Sequence, residues 1–185
     1  MLTTSFEMLQ KAYEGHYAVP AINTQGGTYD IIRAICMAAE ELKSPIILAH
    51  YVSTGEYSGH DWFFETARWM AEKVSVPVAV HLDHGDSFER CMEMLKIGFT
   101  SIMYDGSAYP VEENARRTEE VGKVCRAFGV PLEAEIGELA RLDDQGKAMP
   151  GSCPGLRRKS SGEISGTLSG WPAQRERLRP GGSAA

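Results

Sequence analysis

Four consecutive residues near the middle of the chain, His81-Leu82-Asp83-His84, bring two imidazoles and a carboxylate together. Imidazole binds transition metals and titrates near neutrality, and a carboxylate beside it can move protons, so the stretch suits metal-assisted or acid–base chemistry. It ends an apolar run that begins at Val76. If that run is a strand, alternation puts His81 and Asp83 on one face and leaves His84 where the strand gives way to Gly85-Asp86. Spacing alone supports a hydrogen-bonded polar cluster at a strand end equally well.

Similar groups end the other apolar runs. Asn23 and His50 close two earlier ones, Tyr104-Asp105-Gly106 closes a later one, and Glu133-Ala-Glu135 sets two carboxylates on one face of the last. Carboxylates inside an apolar strand are costly to bury unpaired, so a cation or a buried base is their natural partner. An ion pair with Arg116 or Lys123 is the alternative. His50 and His81 suit core or supporting positions better than ligand positions, and His16 and His60 read as surface residues. The charged run from Glu112 to Glu120 has the spacing of a solvated helix face with i,i+4 pairs. Gly26-Gly27, ahead of a helical pattern, could let backbone approach a phosphate.

These residues must be positioned by the elements between them. Apolar runs at 17–23, 45–50, 76–82, 100–104 and 130–136 predict five strands. Apolar residues at helical spacing predict helices over 28–43, 61–73, 87–97 and 111–128, and 3–14 reads as a helix preceding the first strand. No convincing helix follows the fifth strand. Strand starts about 25 to 30 residues apart, with nearly continuous apolar character, belong to βαβ units and a parallel sheet, so the class is α/β. A doubly wound open sheet and a (β/α)8 barrel that stops after about five strands both fit that spacing. Polar groups at the carboxyl end of every strand favour the barrel, which gathers its chemistry there.

Composition narrows the function classes. The 185 residues carry a net charge of −6, which gives no electrostatic footprint for nucleic acid or an anionic membrane. No apolar run reaches the roughly 18 residues of a membrane span, and the first residues lack a signal-peptide profile, so a cytoplasmic location is expected. Cys36, Cys91, Cys125 and Cys153 form no Cys-x-x-Cys pair and read as reduced thiols. The charge is unevenly spread: residues 1–150 hold 13 basic and 23 acidic residues, residues 151–185 hold 6 and 2. Sixteen of those last 35 residues are Gly, Pro or Ser, and their few large apolar residues follow no period. Such a stretch buries too little surface to offset the entropy of ordering it, so 148–185 is expected to be a disordered tail.

Taken in order, Val19-Pro-Ala-Ile-Asn23, Val78-Ala-Val-His-Leu-Asp-His-Gly85, Ser101-Ile-Met-Tyr-Asp105 and Leu132-Glu-Ala-Glu-Ile-Gly137 resemble the class II, zinc-dependent ketose-bisphosphate aldolases. The resemblance covers residues 1–147 and implies the N-terminal five-eighths of a (β/α)8 TIM barrel. It also implies reversible cleavage of a ketose bisphosphate, fructose or tagatose 1,6-bisphosphate, to dihydroxyacetone phosphate and an aldehyde phosphate, a step of carbohydrate metabolism such as glycolysis. By resemblance Asp83 is the catalytic acid/base, His84 a ligand of the catalytic zinc, Asp105 and Glu135 ligands of a second or alternative metal position, and Asn23 a substrate-site residue. Family members are expected to be cytoplasmic homo-oligomers whose partners are sugar bisphosphates, with neither nucleic acid nor membrane.

The sequence departs from the family pattern in two places. Ala140-Arg-Leu-Asp-Asp144 stands where the family has Gly-Gly followed by acids, leaving Asp143 as the nearest stand-in for its loop acid. No histidine follows His84, so two further zinc histidines and three strands have no counterpart. A catalytically inactive fragment or interaction remnant is therefore the rival expectation. The turn to Arg, Gly, Pro, Ser and Ala after Lys147, residues with GC-rich codons, leads to the further expectation of a shifted reading frame from about Ala148. Translating the other two frames past that codon checks it: strand–helix units with two histidines are expected, and stop codons in both would overturn it.

Overall fold

The computed structural model describes residues 1–136. The Gly137 end of the fourth motif, Asp143, Cys153 and the tail expected over 148–185 lie outside the described residues.

Within them, twelve segments follow the order the sequence predicts, with two additions, a 3₁₀ turn and a short helix. Helix α1 (Ser5–Gly15) precedes strand β1 (Ala21–Asn23), and a short 3₁₀ turn (Gln25–Gly27) leads into α2 (Tyr29–Glu41). Strand β2 (Ile46–Tyr51) runs directly into a helix the sequence did not announce, α3 (Val52–Ser58), and then α4 (His60–Ala71). Strand β3 (Val78–Gly85), α5 (Phe88–Ile97), β4 (Ser101–Tyr104), α6 (Val111–Phe128) and β5 (Leu132–Ala134) complete the series. The two edge strands are shorter than their apolar runs suggest, with three residues each. Ser87 caps α5 by accepting a hydrogen bond from the Arg90 N–H, a contact that occupies one of the helix's free amide donors.

All five strands pair in parallel, in the order β1-β2-β3-β4-β5. A doubly wound sheet reverses its strand order at a switch point, whereas a barrel adds each strand beside the last. The unreversed order is that of a barrel arc, and it decides between the two architectures left open by spacing.

The register assigns each residue a face. Leu48, Val78, Val80, Leu82, Ile102 and Tyr104 point to the helices and join Ile32, Phe63, Met94, Phe99 and Val121 in the main core. The opposite face is laid out in cross-strand rows. Ala21, Ile47 and Ala79 form the first, and Met8 of α1 packs on its Ile47 and Ala79. Asn23, Ala49, His81 and Ser101 form the second. Such rows are how a barrel fills its interior, and here the second row turns polar as it nears the carboxyl ends. Helix α1 thus covers the amino end of this face and leaves the other end open to chemistry.

Candidate active site

The third row departs from regular pairing. Between Leu82↔Ile102 and Gly85↔Tyr104, strand β3 spends Asp83 and His84 where β4 spends only Met103. This extra residue is a β-bulge, and His84 at its centre has a left-handed φ of 54°. Bulges re-aim side chains next to active sites, and a non-glycine residue at positive φ stores strain that the surrounding structure must hold. The consequence is that His84 is not the loop residue alternation suggested. It belongs to β3 and turns toward β4 and β5.

There its Nδ1 lies 2.7 Å from Asp105 Oδ2 and 3.8 Å from Glu135 Oε2. Ligand atoms of these three residues lie within 4.8 Å of one another, and all three side chains are partly buried. Asp105 is fixed by accepting the Ser107 N–H at 3.0 Å, and Glu135 follows directly after β5 while its carbonyl accepts the Asn114 amide. Tyr51, last residue of β2 and paired with Asp83 in register, sets its ring edge-on to His84 with centroids 5.9 Å apart.

The electrostatics favour a cation. Burial works to lower His84, yet its hydrogen bond to Asp105 and the charges of Asp83, Asp105 and Glu135 together hold its pKa above the ordinary value. Burial works to raise Asp105, but the hydrogen bonds from Ser107 and His84 hold it below. Glu133, although 63% of its side chain is exposed, is pushed up by its packing and then by the charge of Asp83. Three carboxylates, Asp83, Asp105 and Glu135, thus act on the His84 imidazole. A nitrogen and two carboxylate oxygens in mutual reach are a donor set for a divalent transition metal, and the surplus negative charge is what such an ion offsets.

The residues singled out from sequence are only partly brought together. Asp83, His84, Asp105 and Glu135 converge, and the last three, assigned by resemblance to two metal positions, form one group. Asn23 stands two strands away at the same end of the sheet, exposed, with its Oδ1 accepting the Gln25 N–H at 2.9 Å. Glu133 and Glu135 both reach histidines of β3 and feel each other's charge, as a shared face predicts, but they do not meet one common partner: Glu133 lies 3.7 Å from His81 Nε2 and Glu135 3.8 Å from His84 Nδ1. Nor do Arg116 and Lys123 pair with them: Arg116 is engaged by Glu113 and Glu120 along α6. His81 is a core residue, its Nδ1 2.7 Å from Ser101 Oγ, which in turn meets Ser5 of α1 at 2.8 Å. His60, read as a surface residue, is buried. A glycine before it and an aspartate after it gave no sign of that.

Comparison with known proteins is consistent across sequence and structure. A family model described as fructose-bisphosphate aldolase class-II matches residues 3–153. The fructose-bisphosphate aldolase of Thermus caldophilus is 42% identical over 144 residues, 78% of this chain and 46% of its own length. A 6-phospho-5-dehydro-2-deoxy-D-gluconate aldolase of Halalkalibacterium halodurans is 38% identical over 149 residues, 77% of this chain and 50% of its own. The crystal structure of the YdjI aldolase from Escherichia coli K12 superposes with a TM-score of 0.68 at 33% identity, covering 74% of this chain and 51% of that one. The chain spans about half the length of the curated relatives it matches.

Proposed function

The chain belongs to the class-II fructose-bisphosphate aldolase family, and from that premise we propose that its described residues form the acid/base and cation-binding part of a site for aldol cleavage of a ketose bisphosphate. Fructose 1,6- and tagatose 1,6-bisphosphate are the proposed substrates, giving dihydroxyacetone phosphate and an aldehyde phosphate. The relative named for a deoxygluconate phosphate keeps the reaction class while changing the sugar.

The observation that carries this reading is the bulge in β3, which puts Asp83 and His84 side by side opposite Met103. His84, Asp105 and Glu135 would hold a zinc ion, and a bound divalent ion supplies Lewis acidity toward a carbonyl oxygen. Asp83, next to that group, exchanges a proton with the hydroxyl on the aldehyde-derived carbon through its carboxylate. Asn23 orients substrate from the far side of the sheet's open end. A cytoplasmic homo-oligomer fits this reading, as does a boundary near residue 147 with a Gly/Pro/Ser/Arg-rich tail beyond it.

The test is zinc-dependent cleavage of fructose and tagatose 1,6-bisphosphate by the purified chain. Turnover abolished by a chelator and restored by zinc is the expected result. Zinc binding at the cluster without turnover of either sugar would favour a second reading, a catalytically inactive relative. The observation behind that reading is that the cluster holds a single imidazole beside two carboxylates, whereas three-ligand catalytic zinc sites generally carry at least two nitrogen or sulfur donors.

A further inference from the structure

On the helix-facing side of the sheet, away from the metal-ligating cluster, a second pair of histidines is in contact. His50 Nε2 of β2 lies 3.1 Å from His60 Nδ1 of α4, and His60 Nε2 lies 3.0 Å from Arg90 Nη1 of α5. His50 is fully buried and stacked on Phe63 with centroids 3.8 Å apart. Its Nδ1 finds no hydrogen-bond partner among the described residues.

The protons of this chain of contacts follow from one fixed point. A guanidinium only donates, so His60 Nε2 accepts from Arg90 and the His60 proton sits on Nδ1. That proton is given to His50 Nε2, which leaves the His50 proton on its unpartnered Nδ1. Each link of the relay then has one donor and one acceptor. One more proton on either ring sets two donors face to face at a link of the relay. The surroundings offer an arginine and three acids: Glu56 of α3, Asp61 of α4, and Arg90 and Glu93 of α5. Phe63 and Phe99 enclose the rest. Burial lowers the pKa of both imidazoles, to about 3 at His50.

What the relay fastens is α3. A Cβ at Gly55 would stand 1.8 Å from His60 Nδ1 and 2.6 Å from His50 Nε2, so the helix backbone rests directly on the pair. Its other side meets the turn after β1: a Cβ at Gly27 would come within 3.0 Å of Ser58 Oγ and 3.5 Å of Thr54 Cγ2. That turn begins two residues after Asn23. The geometry points to an acid-released latch, in which the Arg90–His60–His50 relay holds α3 and the turn behind Asn23 in place only while both imidazoles are neutral. The latch stands independently of the proposed aldolase chemistry; only the substrate role of Asn23 beside the turn rests on that reading.

Two measurements on the full chain test it. Nitrogen-15 NMR of the imidazoles is expected to show the Nδ1–H tautomer for both His50 and His60 at pH 7.5, and Nε2–H at either would overturn the relay. Hydrogen exchange of the amides in 52–58, corrected for its intrinsic pH dependence, is expected to lose protection at least tenfold per pH unit below about 6.5, the slope of one proton taken up on opening. His60→Gln keeps an acceptor for Arg90 and a donor for His50 but cannot take up that proton, so its slope falls by one such tenfold step. An unchanged slope, or a wild-type protein with no acid response at 52–58, would overturn the latch. Aldolase turnover enters neither measurement, so failure of the functional reading and failure of the latch are told apart.

Discussion

His84 owes its position to a backbone conformation that most side chains avoid. In return the imidazole reaches Asp105 and Glu135, while Asp83 beside it stays out of the three-membered group. This division predicts different outcomes for two neighbouring substitutions. His84→Ala is expected to abolish zinc binding at the cluster, measured by isothermal titration against the wild type. Asp83→Ala is expected to keep the zinc and lower turnover by about 10² to 10⁴, the usual range for a lost acid/base. Loss of zinc in Asp83→Ala would mean that the two roles are wrongly divided. The residue identities were legible in the sequence because the motif types carry the chemistry. Their geometry was not, since alternation along β3 predicts a regular strand and a one-residue bulge leaves no mark on an apolar pattern.

Among the elements, β3 and its bulge depend on Gly85. A Cβ there would meet the Met103 carbonyl at 2.6 Å, Leu82 Cδ2 at 2.7 Å and Cys91 Sγ at 3.0 Å. The first of these is backbone in the next strand and cannot step aside. Gly85→Ala is therefore expected to destabilise the fold by about 1–3 kcal/mol, the range for overpacking, read as a lower denaturant midpoint. An unchanged midpoint would show that β4 yields freely and that the bulge is soft. The main strands and helices were readable because apolar runs and 3.6-residue spacing report burial directly. Helix α3 was not: Val-Ser-Thr-Gly-Glu-Tyr-Ser has weak helical propensity, and it is the packing of Gly55 on the histidine pair that holds it.

For the molecule as a whole, buried neutral histidines set the acid limit of stability. His50 is lowered to about 3 and His81 to about 4, burial being the first cause of each. Both fall below the unfolded value near 6.5, so the unfolded chain takes up more protons as the pH drops. Their contribution is whole above pH 6.5 and is lost between 6.5 and roughly 3 to 4, by up to ~1.4 kcal/mol per pH unit for each proton. Denaturant melts at pH 7.5, 6 and 5 are expected to show a falling midpoint, and replacing His50 by an apolar residue of similar size should flatten the fall. Sheet order was the one global property that spacing left open. Strand neighbours are fixed by tertiary pairing, and five parallel strands read alike in either architecture until the order is seen.

Cys36, Cys91 and Cys125 are free, buried thiols on three separate helices, α2, α5 and α6. Burial pushes each of them up, to about 11, 12 and 11, so they stay protonated and slow to react while the helices are closed. Each becomes a clock for its own helix. The rate at which a small alkylating reagent consumes it, followed by mass spectrometry, measures how often that part of the arc breathes, and three such clocks read the order in which the layer around the sheet comes apart.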